Sequence, residues 1–198
     1  MSRLIESIKL LDGKFYNLPF HEKRMAHTLS ELFGMSEPVR LEEYLNEGEF
    51  PPKGLFKCRL VYDNIYREKT FSRYDPRIIK TVKVVREDGI QYPFKFEDRA
   101  VLDRLFGMRG NCDDVMIIRK GQVTDCSYSN IVFRRGSEWV TPASPLLEGT
   151  MRAKLIGQNK IQAREILEED IRSFDSFKII NAMLEFDSPE IEVSRIVF

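Results

Sequence analysis

The dipeptide Asp12-Gly13 constrains the fold most, because it separates two stretches that favour β-strands, RLIESIKLL and KFYNLPF. An Asp-Gly pair between strand-forming residues is typical of a two-residue hairpin turn. The next stretch, PFHEKRMAHTLSELFG, repeats apolar residues near helical spacing and ends at Gly34, which suits a helix C-cap. The chain is therefore expected to open with a β-hairpin followed by a helix.

A second strand pair follows the first helix. The stretches GLFKCRLVYDN and IYREKTFSRY are predicted to pair as strands through a turn at Asp63-Asn64. A short helix is predicted before them, over residues 41–45. The first part of the chain thus mixes helices and strands in one small unit.

The pattern pauses near Tyr74-Asp75-Pro76, and we place a domain boundary there. The sequence predicts a small N-terminal α+β domain, 1–75, and a larger C-terminal α+β domain, 76–198. The second part reads, in order, as the strand IIKTVKVV, the helix FEDRAVLDRLFGMRG, the strands DDVMIIRKG, QVTDCSYSNIVFRRG and SEWVTP, the helix GTMRAKLIGQN, the strand and helix start IQAREILEED, and the strand FKIINAML. The fold class is therefore α+β with two units, many strands and about five helices.

Composition excludes several classes of function. The 31 basic and 31 acidic side chains of this 198-residue chain cancel, so the basic surface that nucleic-acid binding requires is missing. No apolar run approaches the roughly 18 residues of a membrane span, and the N-terminus lacks the apolar segment of a signal peptide. We expect a protein that binds neither nucleic acid nor membrane.

Cysteine and histidine usage indicates the compartment and argues against a metal. Cys58, Cys112 and Cys126 are odd in number and lack CxxC spacing, which favours the reducing cytoplasm. His21 and His27 are six residues apart and do not share a helical face, so no metal site is expected. A catalytic base is then expected to be a lysine or a carboxylate.

Two of four unusual stretches carry charged side chains in unusual surroundings. In YPFKFEDR, Lys95 lies between two phenylalanines. It either extends its ammonium group past them to water or is a partly desolvated amine that acts as nucleophile and base. Asp125, in TDCSYSNIVF, is either a turn or cap residue or a functional carboxylate.

The other two stretches suit an anion. Gly149-Thr150 opens a helix, which is either a plain helix start or a site where backbone N–H groups bind an anion. Arg24, in HEKRM, is either a surface arginine or part of the same chemistry.

Six stretches, taken together, resemble those of the class IV aminotransferases, the fold-type IV pyridoxal-phosphate (PLP) enzymes, in the order in which that family has them. They are HEKRM, KFEDR, VTDCSYSNIVF, WVTP, LLEGTMR and INAM. The family includes branched-chain and D-amino-acid aminotransferases and 4-amino-4-deoxychorismate lyase. The resemblance implies a two-domain α+β fold like that of D-amino-acid aminotransferase, with the cofactor PLP in the cleft between the domains.

The resemblance also implies a role for each cofactor-binding residue. The lysine of the family's K-x-x-(N/D)-R stretch forms the Schiff base with PLP and moves the substrate proton, and it corresponds to Lys95. The arginine of the H-x-x-R-(L/M) helix holds the phosphate and corresponds to Arg24. The acid of T-(E/D)-x-x-x-x-N-(I/L), which pairs with the pyridine nitrogen, corresponds to Asp125. The G-x-x-R helix start offers amides to the phosphate at Thr150 and Met151.

Two departures from the family pattern bear on activity. The usual acid is glutamate, and Asp125 is one methylene shorter, so pairing requires a closer approach or a bridging water. RLIESIKLLDGK resembles the family's second strand, so strands that build part of the substrate pocket in relatives are expected to be missing. The PLP site is expected to be kept, whereas substrate choice does not carry over.

The resemblance favours a lyase over an aminotransferase. Met151 stands where many transaminases have threonine, and the segment Ile180-Asn181-Ala182-Met183 is more similar to that of aminodeoxychorismate lyases. Such an enzyme eliminates pyruvate from aminodeoxychorismate and gives p-aminobenzoate, a step of folate biosynthesis. The dicarboxylate substrate suggests contacts with Arg59 and Arg67 and with Asn181.

Two alternatives remain open. The first is an amino-acid aminotransferase of the branched-chain or D-amino-acid type. The second is a non-catalytic protein that keeps the fold and binds a ligand or partner. The resemblance also implies a homodimer with a small amino-acid-like substrate.

Overall fold

The computed structural model describes residues 3–65 and 67–198, and the contacts divide the chain into two units. The first runs to Pro76 and includes Phe94–Asp98, and the second comprises Arg77–Pro93 and Arg99–Phe198. The predicted boundary after residue 75 differs from this division by one residue. The larger difference concerns Lys95, which the sequence places in the second domain and the contacts place in the first unit.

The first unit is a four-stranded antiparallel sheet with two helices. Its elements are β1 (Leu4–Leu11), β2 (Lys14–Phe15), α1 (Leu18–Phe33), α2 (Leu41–Asn46), β3 (Leu55–Tyr62) and β4 (Arg67–Arg73), with strand order β2-β1-β3-β4. Asp12 and Gly13 have φ angles of 47° and 76°, as the hairpin between β1 and β2 requires. α1 ends at Gly34, whose φ of 66° makes it a left-handed cap.

One face of β1 forms the core of this unit. Side chains alternate along a strand, so Leu4, Glu6, Ile8 and Leu10 share a face, and all four are fully buried. The apolar members pack with residues of α1 such as Met25. Glu6 is therefore a charged residue in an otherwise apolar row.

The segment that carries Lys95 runs along the start of β1. The backbone N–H of Ile5 donates to the carbonyl of Lys95 at 2.9 Å, and the N–H of Glu97 donates to the carbonyl of Arg3 at 2.8 Å. Because of this pairing, the segment belongs to the first unit. The pairing also corrects the predicted helix. The FEDRAVLDRLFGMRG pattern predicts about three helical turns, but Phe96 is bridged to Leu4 and the helix is shorter.

The second unit is built on a nine-stranded sheet. Its elements are β5 (Val82–Arg86), α3 (Ala100–Gly107), β6 (Asp114–Arg119), β7 (Gln122–Cys126), β8 (Asn130–Arg135), β9 (Glu138–Pro142), α4 (Thr150–Gly157), β10 (Gln162–Arg164), β11 (Ser176–Ile180), β12 (Ile191–Glu192) and β13 (Ile196–Val197), with short 3-10 turns at Glu168–Ser173 and Val193–Arg195. The main path is β10-β9-β8-β7-β6-β5-β13, and β11 joins β8 to β12. The predicted α+β class is confirmed.

The centre of this sheet positions two of the candidate residues. β7 and β8 are joined by a tight turn in which Asp125 is paired with Asn130. α4 packs through Met151 and Leu155 on Val132 of β8 and Ile180 of β11. The start of α4 is thereby fixed to the strands that flank the Asp125 turn. None of the helices formed by residues 3–65 and 67–198 is long and apolar enough to cross a membrane.

Candidate active site

Lys95 lies in the segment that pairs with the start of β1, between two aromatic side chains. Phe94 and Phe96 pack against the core of the first unit, with their rings edge to face at 5.9 Å. The backbone N–H of Phe96 donates to the carbonyl of Phe94 at 2.9 Å, so Lys95 is the central residue of a tight turn. Its side chain is half-buried. The backbone of the lysine is held by the sheet, which suits an amine that must occupy one position.

Arg24 belongs to a buried ionic cluster that the sequence did not predict. Its Nε donates to Oε1 of Glu6 at 2.9 Å, and its Nη2 donates to Oε2. His21, one helical turn earlier, contacts Oε2 of Glu6 through Nδ1 at 2.6 Å. Glu6 and His21 have no exposed side-chain surface, and the side chain of Arg24 is 11% exposed. The predicted phosphate ligand is thus held by a carboxylate from β1.

The charges in this cluster follow from its contacts. Burial alone would raise the pKa of Glu6, but the guanidinium of Arg24 and the hydrogen bond from His21 outweigh it and lower that pKa to about 2. Burial lowers the pKa of His21 and outweighs the hydrogen bond and the negative charge of Glu6, which oppose the shift, while the positive charges of Arg24 and Lys95 act in the same direction as burial. Glu6 is therefore ionised and His21 neutral near pH 7, so Nδ1 of His21 carries the proton that it donates to Glu6.

Asp125, in the second unit, is a buried hydrogen-bond acceptor. Its Oδ1 accepts from Nδ2 of Asn130 at 2.7 Å, and its Oδ2 accepts from the backbone N–H groups of Leu146 at 2.8 Å and Leu147 at 3.0 Å. Burial raises the pKa of Asp125 to about 6, although these donors and the charge of Arg152 oppose the shift. A carboxylate has about four acceptor positions, so one remains on Oδ1.

Asn130 connects Asp125 to the start of α4. Its Nδ2 also donates to the carbonyl of Leu147 at 3.0 Å. A Cβ at Gly149 would stand 1.8 Å from the Oδ1 of Asn130, which is far inside any contact distance. Only glycine therefore allows the helix to begin this close to the asparagine. The Asp125 carboxylate and the N-terminus of α4 form one packed arrangement.

Gly149→Ala is expected to lower the free energy of unfolding of the ligand-free protein by about 1–3 kcal/mol, the usual cost of overpacking. Gly149 has φ −70° and ψ 141°, which alanine adopts freely, so the loss comes from displacing Asn130 and not from backbone strain. Denaturant unfolding measures it. Gly157→Ala, at the other end of α4 with nothing within 4 Å, is the matched control and is expected to leave stability unchanged or to raise it by up to about 1 kcal/mol, since alanine favours a helix. Equal destabilisation by both substitutions would contradict the assigned contact.

The first turn of α4 follows Gly149 directly and presents the N-terminal backbone amides of the helix. Thr150 and Met151 are 3% and 2% exposed, and the first intrahelical bond runs from the N–H of Ala153 to the carbonyl of Gly149. The amides before it have no acceptor within the helix, and they lie at the positive end of its dipole. Arg152 stabilises the segment that precedes the helix, because it donates to Glu148 at 2.8 Å and to the carbonyl of Pro142 at 2.9 Å.

The three substrate candidates have different surroundings. On β3, the Nη2 of Arg59 donates to Oε1 of Glu97 at 2.8 Å, so this arginine is tied to the segment that carries Lys95. Arg67 is exposed at the start of β4. In the second unit, Asn181 donates to Oγ of Ser129 at 3.0 Å and accepts from the N–H groups of residues 183 and 184. Asn181 thus supports the turn that follows Asp125.

Two residues that the sequence did not single out fix that same turn. Arg99 donates to the carbonyl of Ser127 at 2.7 Å and stacks on Tyr128 at 4.2 Å. Asp114 is buried and accepts from the hydroxyl and the N–H of Ser127. Burial raises the pKa of Asp114. The signal for Arg99 was its place in KFEDR, and nothing local marked Asp114, since its partner is 13 residues away.

Comparison with known proteins gives consistent matches over nearly the whole chain. Residues 98–186 match the family described as amino-transferase class IV. An uncharacterized protein of Haemophilus influenzae is 40% identical over 186 residues, which cover 92% of this chain and 98% of that protein.

Solved structures agree. A protein of Haemophilus somnus, provisionally named a 4-amino-4-deoxychorismate lyase, is 37% identical with a TM-score of 0.88, and the match covers 94% of this chain and 98% of that one. A protein of Mesorhizobium loti, provisionally named an amino-acid aminotransferase, is 18% identical with a TM-score of 0.84 over 100% of both chains. The second likeness concerns the fold alone.

Proposed function

Because this chain belongs to the class IV aminotransferase family and has its α+β fold, we propose that it is a PLP-dependent enzyme with Lys95 as its catalytic residue. The observation that carries this proposal is the buried arrangement of Asp125, Asn130 and Gly149 at the start of α4. It presents a carboxylate and a helix N-terminus in one fixed geometry. Such a pair suits a ligand with a protonated ring nitrogen at one end and a phosphate at the other.

The candidate residues offer groups that match the polar groups of PLP one by one. The Nζ of Lys95 is an amine for the aldehyde. Arg24 and the amides of Thr150 and Met151 suit the phosphate dianion. The Oδ1 of Asp125 keeps one acceptor position for the ring N–H.

When bound, PLP supplies an electron sink for the bonding electrons released at the substrate carbon next to its amine. Lys95 would hold the aldehyde before substrate arrives, and its Nζ would then accept and return the substrate proton. Asp125 would keep the proton on the ring nitrogen by accepting its hydrogen bond. Arg24 and the helix N-terminus would hold the phosphate, which limits the movement of the bound cofactor.

We propose further that the reaction is the elimination of pyruvate from 4-amino-4-deoxychorismate, giving p-aminobenzoate. Met151 in place of threonine, and the 37% identity to a protein with that provisional name, support this choice. The substrate carries two carboxylates, for which Arg59 and Arg67 are candidate contacts. In this proposal Asn181 contributes by supporting the turn after Asp125.

The lyase proposal is tested by incubating the PLP-loaded protein with aminodeoxychorismate and no keto acid. p-Aminobenzoate and pyruvate are expected in equal amounts, because elimination needs no amino acceptor. Amino transfer that depends on an added keto acid, with no aromatic product, would identify an aminotransferase instead. A protein that takes up no PLP would exclude both enzymes and leave the non-catalytic alternative.

We propose that the protein is a homodimer, as the resemblance implies, and that it is cytoplasmic, as its cysteine usage favours. Cys58 and Cys126 are buried thiols, and burial raises the pKa of each, which makes both unreactive. Gel filtration checks the dimer, and a monomer at working concentration would contradict it.

A further inference from the structure

The Glu6 carboxylate, buried beneath α1, has a task in the proposed function. We propose that Glu6 is a positioning residue, which holds the guanidinium of Arg24 in the orientation that binds the cofactor phosphate, with His21 fixing the carboxylate in turn. The inference rests on the proposed function, since it assumes that Arg24 meets a phosphate. It assigns roles to two residues that the six family-like stretches did not identify as functional.

The placement of Glu6 follows from the alternation of β1. Leu4 and Ile8 flank it on the face that packs against α1. Arg24 and His21 are three residues apart on that helix, so they share the face that meets the strand. The carboxylate thus approaches both side chains from below the helix without any contact to water.

The contact between Glu6 and Arg24 is bidentate. Nε binds one carboxylate oxygen at 2.9 Å and Nη2 binds the other. A planar guanidinium held along one edge has a fixed plane and a fixed direction for its remaining donors. An arginine oriented before the anion arrives avoids the loss of side-chain freedom that binding would otherwise cost.

His21 contacts the second carboxylate oxygen of Glu6. Its neutral ring donates from Nδ1 to Oε2 of Glu6 at 2.6 Å. The carboxylate therefore has a defined orientation before it orients Arg24. Because His21 is neutral, it adds no charge to the pair of Glu6 and Arg24. The cluster therefore contains one carboxylate anion and one guanidinium cation.

Glu6 has a second effect on Arg24 that opposes its orienting effect. The direction of the change in phosphate binding therefore distinguishes the two effects. A buried carboxylate also neutralises Arg24, and that alone would weaken the attraction for a phosphate. A buried ion pair is often no more stabilising than apolar residues of the same volume. If orientation dominates, removal of the Glu6 charge weakens phosphate binding, and if neutralisation dominates, removal strengthens it.

The experiment compares two ligands that differ only in the phosphate. Dissociation constants are measured for PLP and for pyridoxal, which has the same ring and aldehyde, on the wild-type protein and on Glu6→Gln. Glu6→Gln is expected to weaken PLP binding about tenfold or more, the effect of losing a hydrogen bond to a charged group. Pyridoxal binding is expected to be unchanged. Equal losses for both ligands, no change in either, or tighter PLP binding would each overturn the proposal.

Controls separate this proposal from folding and from the proposed function. Glu31→Gln, at an exposed position of α1, is expected to leave both constants unchanged. Glu6→Asp keeps the negative charge but is one methylene too short to bind Nε and Nη2 of Arg24 in the same way, so it is expected to lose part of the same preference for PLP, and it decides the matter if Glu6→Gln fails to fold. Retention of the full preference by a folded variant overturns this inference alone. A wild-type protein that binds PLP no better than pyridoxal overturns the proposed role of Arg24 as well.

Discussion

Lys95→Ala is expected to abolish the visible absorbance that the wild-type protein gains on addition of PLP. It is also expected to lower product formation by at least about 10²–10⁴-fold, the range for loss of a positioned acid–base group. The substitution removes the side chain that we propose holds the aldehyde and moves the proton, whereas the backbone pairing of its segment with β1 does not depend on that side chain. Absorbance spectra and p-aminobenzoate release are the two measurements.

Lys160→Ala is the control for this substitution, because Lys160 is an exposed lysine beyond the end of α4. Its spectrum and rate are expected to match those of the wild type. A Lys95→Ala protein that still binds PLP through a borohydride-reducible bond would show that another amine is responsible.

Asp125→Ala is expected to lower the free energy of unfolding of the ligand-free protein by about 3 kcal/mol or more. Three donors lose their acceptor within the protein, and each unsatisfied buried group costs about 1–3 kcal/mol. The variant is also expected to retain PLP poorly, since the loop before α4 loses its anchor. Denaturant unfolding measures the first effect, with the exposed Asp187→Ala as control, and dialysis measures the second. Normal stability of Asp125→Ala would contradict the contacts assigned to this carboxylate.

The stability difference between the wild type and Asp125→Ala is also expected to depend on pH, in a direction that the pKa of Asp125 determines. Burial raises the pKa of Asp125 from 3.8 to about 6 in the folded protein. The corresponding stability is present below about pH 4 and is lost as the pH rises through about 6, by up to about 3 kcal/mol. The stability difference between wild type and Asp125→Ala is therefore expected to shrink from pH 4 to pH 7. The pKa of Glu6 is lowered, so its contribution to stability changes in a lower pH range. This contribution is the same in both proteins and cancels in the difference between their stabilities.

The elements that the sequence predicted well are those with local signals. Asp12-Gly13 supplies the two positive φ angles of its hairpin, and Gly34 supplies the left-handed cap of α1. The six short stretches likewise predicted the family, which the comparisons confirm. The roles of the individual residues stay predictions.

Features that depend on distant pairing were not predictable in this way. The helical pattern from Phe96 is overridden because this segment pairs with β1, more than 90 residues earlier. Glu6 was visible as a charge in an apolar alternation, but its partners lie 15 and 18 residues away on a helix. Asp125 looked like a turn residue, and two of its three donors come from 21 and 22 residues further on.

The central claim is that PLP is bound covalently by Lys95, and peptide mapping tests it most directly. The wild-type protein is incubated with PLP, reduced with borohydride, digested and analysed by mass spectrometry. The account predicts one modified peptide, YPFKFEDR or a longer fragment containing it, with the cofactor on Lys95. Absence of the cofactor from that peptide, or its distribution over exposed lysines such as Lys160, would contradict the account.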